Sequence, residues 1–136
     1  MGALKAAAVR AGLSLLSLLS LDAQRRLGRL LGRLFGIFDT ESRRVTRINI
    51  ALCFPELEAR ARERLVRDSL VHSAMLVTEL GTVYQCPPER WRRFAVDMEG
   101  EALFRDALEA ETGVLLLVPH LGNWEFLTLM LGQLGV

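Results

Sequence analysis

Among 136 residues there are only two cysteines, Cys53 and Cys86, and two histidines, His72 and His120. The cysteines stand far apart and belong to no CxxC or Cys/His cluster. They offer neither a disulfide framework nor the ligand spacing of a zinc site, and they fit a reducing compartment, where each reads as a small buried apolar residue. No aromatic residue interrupts the basic stretch 25–33, so a stacking platform for bases is lacking and nucleic acid is not an expected partner. No uninterrupted apolar run reaches the ~20 residues that a lone spanning helix needs. No small-x-small site closes the first apolar segment, where Leu21-Asp22-Ala23 stands instead, so a cleaved signal peptide lacks its end. Internal repeats and low-complexity linkers are also missing.

What is present is a globular composition. Hydrophobic residues make up 51% and charged residues 24%, which excludes a disordered chain and suits one modest core. The net charge of +1 hides an asymmetry: residues 1–47 hold nine Lys/Arg against three Asp/Glu, and residues 48–136 hold eight against thirteen. A basic N-terminal third is the footprint of a phosphate-bearing partner, and leucines at helical spacing among the arginines favour lipid.

Residues 2–21 carry only Lys5 and Arg10 as charges, and residues 11–21 read AGLSLLSLLSL. A signal peptide, a core helix and a membrane anchor all fit such a segment; the core helix would be apolar nearly all round, and the anchor is the reading adopted. It either spans or lies at the interface, with Lys5 and Arg10 snorkelling in the first case. Downstream, Leu27, Leu30, Leu31, Leu34 and Phe38 recur at helical spacing while Arg25, Arg26, Arg29 and Arg33 take other faces. This is a basic amphipathic helix suited to an anionic leaflet, although an ordinary solvated helix has the same pattern. Excess arginine beside the apolar stretch places the body of the protein on the cytoplasmic side. Residues 1–38 thus form an anchor region and 39–136 a second domain.

In that second domain the spacing predicts a helix capped by Asp39 or Thr40 and running to about Cys53, with Val45, Ile48 and Leu52 buried. Phe54-Pro55-Glu56 ends it, and a longer helix covers about Leu57–Leu80. Phe94–Met98 alternates like a strand, Glu101–Glu111 reads as a helix closed by Gly113, and Val114–Val118 reads as a strand buried on both faces. A last helix runs from about Asn123 to Leu134. The expected fold class is therefore α/β, with N-terminal membrane-associated helices followed by a β-α-β-α start. Two strands do not complete a parallel sheet, and nothing after Val136 covers the leucines of the last helix, so the domain is expected to be truncated.

The chemistry sits at Pro119-His120-Leu121-Gly122-Asn123-Trp124-Glu125, a turn between the expected strand and helix. Five positions along a helix rotate a side chain by about 140° beyond a full turn, so His120 and Glu125 cannot share a helical face. They can meet if His120 precedes the helix and Glu125 lies in its first turn, with Gly122 allowing the bend and Asn123 as N-cap. Histidine can then act as a general base with the carboxylate fixing its tautomer. No serine or cysteine lies in the motif, so the nucleophile has to be a hydroxyl of the acceptor. Chance produces a lone HX4E readily, and a structural histidine satisfies it as well; the expected strand before it and helix after it favour the base.

HLGNWE resembles the HX4D/E motif of the late lipid A (lauroyl/myristoyl-type) acyltransferases. The stretch from Arg43-Arg44 through Arg47 and Asn49 to Cys53-Phe54-Pro55-Glu56-Leu57 is similar to that family's RR…RN…CFPEL segment. Ala61-Arg62-Glu63-Arg64 and Glu99-Gly100 match as well. The resemblance implies a glycerolipid-acyltransferase-like domain at the cytoplasmic face of a Gram-negative inner membrane. It also implies acyl transfer from acyl carrier protein to a lipid A precursor, with His120 and Glu125 as the catalytic dyad, Gly122, Asn123 and Trp124 supporting it, and no cofactor beyond the acyl carrier protein thioester. Related branches acylate other glycolipids, and a non-catalytic module that binds anionic lipid is the alternative of a different class. Family members run to about twice this length, and their later arginine, glycine and phenylalanine motifs have no counterpart here; the chain resembles their N-terminal half.

Overall fold

Ser20 divides the first apolar stretch. Its hydroxyl accepts the backbone N–H of Ala23 at 3.2 Å and so starts a new helix, and the Leu18 and Leu19 amides turn back to the carbonyls of Leu15 and Leu16. In the computed structural model, which describes residues 2–85, 87, 99–110 and 113–133, this gives α1 (Gly2–Ser17) and α2 (Leu21–Phe35) in place of one long helix. At 1.5 Å per residue, α1 is about 24 Å long against a hydrocarbon core of ~30 Å. Among the described residues, no helix is long and apolar enough to cross a membrane. Next come α3 (Glu41–Cys53), capped by Thr40 as expected, and α4 (Ala59–Gln85). These four helices form one compact unit, Met1–Gln85, in which α1, α2 and α3 each pack on α4.

The α2–α4 contact is made by glycine. Gln24, Gly28 and Gly32, spaced by four, are the buried positions of α2. A Cβ on Gly28 would lie 2.5 Å from the Met75 Cα, and one on Gly32 2.6 Å from the Val71 Cα. Small residues at this spacing let two helix backbones approach closely. Gly81 of α4 does the same toward α1, where a Cβ would lie 2.5 Å from the Leu16 Cβ.

Gln24 is fully buried at the junction of all three helices. Its Nε2 donates to Leu16 O at 2.8 Å and to Thr82 Oγ1 at 2.8 Å, and Thr78 Oγ1 donates to the Gln24 carbonyl at 2.9 Å. A buried amide is tolerable only when satisfied in this way. The network pins the end of α1 to α2 and α4.

The α3 helix presents a face other than the apolar one. Val45, Ile48 and Leu52, expected to be buried, are 45, 51 and 74% exposed, and Ile50 is the buried residue of this helix. The physical reason lies in the arginines one turn apart on the Ile50 side. Arg43 Nη1 donates to Gly36 O at 2.6 Å and to Ile37 O at 3.2 Å, closing the end of α2, and Arg43 Nη2 pairs with Glu63 of α4. Arg47 Nε reaches the other Glu63 oxygen at 3.2 Å. Charge pairing and C-terminal capping thus outweigh the apolar stripe in choosing the face. Cys53, read as buried, is exposed; Cys86 lies outside the described residues.

The hydrogen bonds from Arg47 and then Arg43 hold the Glu63 carboxyl below its usual value of 4.5. Because the folded value is the lower one, the stabilisation is present at neutral pH and is lost as pH falls below the ordinary glutamate range. Glu63→Gln is therefore expected to unfold at lower urea concentration than wild type at pH 7, by about 1 kcal/mol. The gap should narrow as the pH falls below the ordinary glutamate range. A pH-independent difference would show that the ion pairs contribute nothing through charge.

The second unit, Cys86–Val136, holds α5 (Glu101–Glu109) and α6 (Trp124–Gln133). The expected α/β start is not seen: among the described residues there is no strand and no sheet. Val114–Val118 has no regular secondary structure, with Leu115 and Leu117 each 89% exposed. An aliphatic segment becomes a strand only when neighbours take up its N–H and C=O groups, and no described residue does so. The strand expected over Phe94–Met98 lies outside the described residues. The helix expected over Glu101–Glu111 with Gly113 as its cap ends at Glu109 with Ala110 as its cap, and Gly113 has φ +78°.

Candidate functional site

The turn leading into α6 is built by short-range bonds that its sequence dictates. The Leu121 amide donates back to Pro119 O at 2.8 Å, a three-residue turn centred on His120. Gly122 follows at φ +61°, a region that favours glycine. The Asn123 side-chain oxygen accepts the Phe126 amide at 3.3 Å, the N-cap bond expected of it. Trp124 and Glu125 then form the start of α6, with Glu125 in its first turn.

His120 thus precedes the helix and Glu125 opens it, the arrangement that lets the two approach. His120 is exposed and Glu125 half-buried. No hydrogen bond joins them. The imidazole instead meets the Trp124 indole, with ring centroids 4.6 Å apart and planes at 64°, an edge-on aromatic contact. This pairing of positions 120 and 124 was not anticipated from the sequence, although a four-residue spacing across an N-cap turn could have suggested it. The turn thus holds an imidazole against an aromatic ring, with a carboxylate five residues on in the first turn of α6. Among the described residues, no group of three or more His, Cys, Asp or Glu side chains could hold a metal ion.

The second candidate surface lies on α2. At about 100° per residue, the Gln24–Gly28–Gly32 seam takes one sector, Leu27, Leu30, Leu31 and Leu34 the next, and Arg26, Arg29 and Arg33 a third. Arg25 falls at the seam edge, and its Nε pairs with Glu79 Oε1 of α4 at 2.8 Å. It serves the fold and is still 44% exposed. Arg26 and Arg33 are exposed and Arg29 half-buried. Leu30 is 63% and Leu34 48% exposed, and Ile37 and Phe38 just beyond the helix are 71 and 57% exposed. A continuous apolar strip beside exposed guanidinium groups faces outward.

Known proteins give a consistent picture. The profile of a family described as bacterial lipid A biosynthesis acyltransferase matches residues 3–135. The chain is 32% identical over 107 residues to the lipid A biosynthesis lauroyltransferase of Escherichia coli K12, covering 79% of this chain and 33% of that one. The palmitoleoyltransferase of the same strain is 28% identical over 106 residues, 78% of this chain and 33% of its own. The myristoyltransferase is 32% identical over 95 residues, 70% of this chain and 28% of its own. No solved structure gives a significant match. The matched stretch spans a third or less of each of these relatives. On the profile match over nearly its whole length, this chain belongs to the bacterial lipid A biosynthesis acyltransferase family.

Proposed function

We propose that the protein is an O-acyltransferase that moves a fatty acyl chain from acyl carrier protein to a hydroxyl of a lipid A precursor or related glycolipid, at the cytoplasmic face of the inner membrane. The observation that carries this reading is His120 at the tight turn entering α6, with Glu125 in the first helical turn, in a chain of this family. The His120 imidazole takes the proton of the acceptor hydroxyl as its oxygen attacks the thioester carbonyl. The tetrahedral intermediate collapses, the C–S bond breaks, and the departing thiolate recovers the proton from the imidazolium. Glu125 orients the imidazole and stabilises its charged form. The test is the gain of one acyl chain in the mass of a lipid A precursor incubated with acyl carrier protein thioester and the protein.

A second reading, a non-catalytic module that binds anionic lipid, is favoured by the outward strip of α2. In either case the strip would lie in the headgroup plane, leucines inward, with Arg26, Arg29 and Arg33 on the phosphates. Each arginine contributes about 1 kcal/mol near an anionic surface. Exchanging all three for glutamine is thus expected to lower binding to vesicles with 30 mol% (~) anionic lipid about 100-fold and to neutral vesicles hardly at all. Equal loss on both kinds of vesicle would place the charge effect elsewhere. The two readings part on the mass assay, since the module alone gives no heavier lipid.

A further inference from the structure

We propose that Trp124 is a positioning residue for His120, holding the imidazole in the rotamer that a general base requires. The inference rests on the reading of His120 as that base. The backbone of His120 is fixed by the Pro119–Leu121 turn, but its side chain is exposed, and an exposed imidazole samples several rotamers. A base works only within hydrogen-bond reach of the proton it abstracts. Gly122 bends the chain at φ +61°, and the Asn123 cap fixes the start of α6, so that the Trp124 ring comes to lie against the His120 ring at 4.6 Å.

The two rings are not held alike. Trp124 is half-buried and belongs to a helix, whereas His120 stands in the turn. The contact is therefore a held ring restricting a looser one. The indole carries a donor only and has no proton-accepting atom, so it cannot replace the imidazole in the proton transfer. It acts through His120. An edge-on aromatic pair has the strength to change a rotamer population about 2- to 10-fold, and that range sets the expected size of the effect.

The contact can be read without any assay of activity. The chain has just two histidines, so the ring protons of His120 are identified by the pair of signals missing in His120→Ala. In the wild-type protein they should show cross-relaxation to the Trp124 indole protons and a ring-current displacement that Trp124→Leu abolishes. In the mass assay, Trp124→Leu is expected to lower kcat about 2- to 10-fold with KM little changed, and Trp124→Phe to restore most of the loss. Absence of cross-relaxation in the wild-type protein overturns the proposal whatever the activity, and needs no variant to fold. A rise in KM at unchanged kcat also overturns it, making Trp124 a substrate contact. Full turnover by His120→Ala, with the ring contact seen in the wild-type protein, overturns the base reading beneath it and leaves the pair as packing alone.

Discussion

Replacing His120 with alanine is expected to lower acyl transfer by about 10²–10⁴-fold, the usual loss on removing a general base. His120 is exposed, so the substitution leaves little to collapse, and the unfolding midpoint should stay within about 0.5 kcal/mol of wild type. That separation makes the result interpretable: the loss is one of chemistry and not of folding. Glu125→Gln keeps the shape of the side chain and removes its charge. If the carboxylate stabilises the imidazolium in the transition state, the variant loses kcat while KM holds. The absence of a direct bond between His120 and Glu125 in the structure does not oppose this, because catalytic hydrogen bonds often tighten only in the Michaelis complex. Wild-type rates of lipid acylation by His120→Ala, followed by mass spectrometry, would remove His120 from the mechanism.

The elements most legible in the sequence were those fixed by local chemistry. Asp39 or Thr40 and Asn123 were read as caps from their residue type and place, and the Thr40 and Asn123 side chains accept the amide three residues on. Phe54-Pro55 ends α3 for the reason that proline always gives. Periodicity also located α2, but it could not say which sector packs. The leucines stood out as the apolar face, while the packed seam is Gln24, Gly28 and Gly32, whose burial depends on the backbone of α4 lying opposite. The signal was present as glycine recurring every fourth residue.

The same blindness misplaced α3. A stripe of Val45, Ile48 and Leu52 looks like a core face, yet Arg43 and Arg47 find their partners on the other side, and only the tertiary structure brings Glu63 there. At Val114–Val118, the aliphatic run expresses a preference for strand that only a paired neighbour could realise. The turn entering α6 was legible because its bonds join residues only two or three positions apart. Its ring contact was not, because it depends on how Gly122 and Asn123 aim the start of α6.

The glycine seam carries the largest expected effect on folding. Gly28→Leu has to place a Cβ 2.5 Å from the Met75 Cα, 2.6 Å from Thr78 Oγ1 and 2.9 Å from the Met75 amide nitrogen. Two of these three atoms are backbone, so no rotamer change relieves the clash and α4 itself has to move. Overpacking of this kind costs about 1–3 kcal/mol. The displacement does not stop at Met75. Thr78 donates to the Gln24 carbonyl, and Gln24 in turn holds Leu16 O and Thr82. Opening the seam leaves buried polar groups unpaired at about 1–3 kcal/mol each. Gly28→Leu should therefore lose about 3–5 kcal/mol, a large share of the ~5–15 kcal/mol that a domain has in hand. Gly12→Ala is the control, since nothing lies within 4 Å of a Cβ at that exposed position of α1. There the gain in helix propensity should stabilise by up to about 1 kcal/mol. Urea unfolding followed by circular dichroism separates the two, and equal midpoints for Gly28→Leu and wild type would mean that α2 and α4 do not meet through this seam.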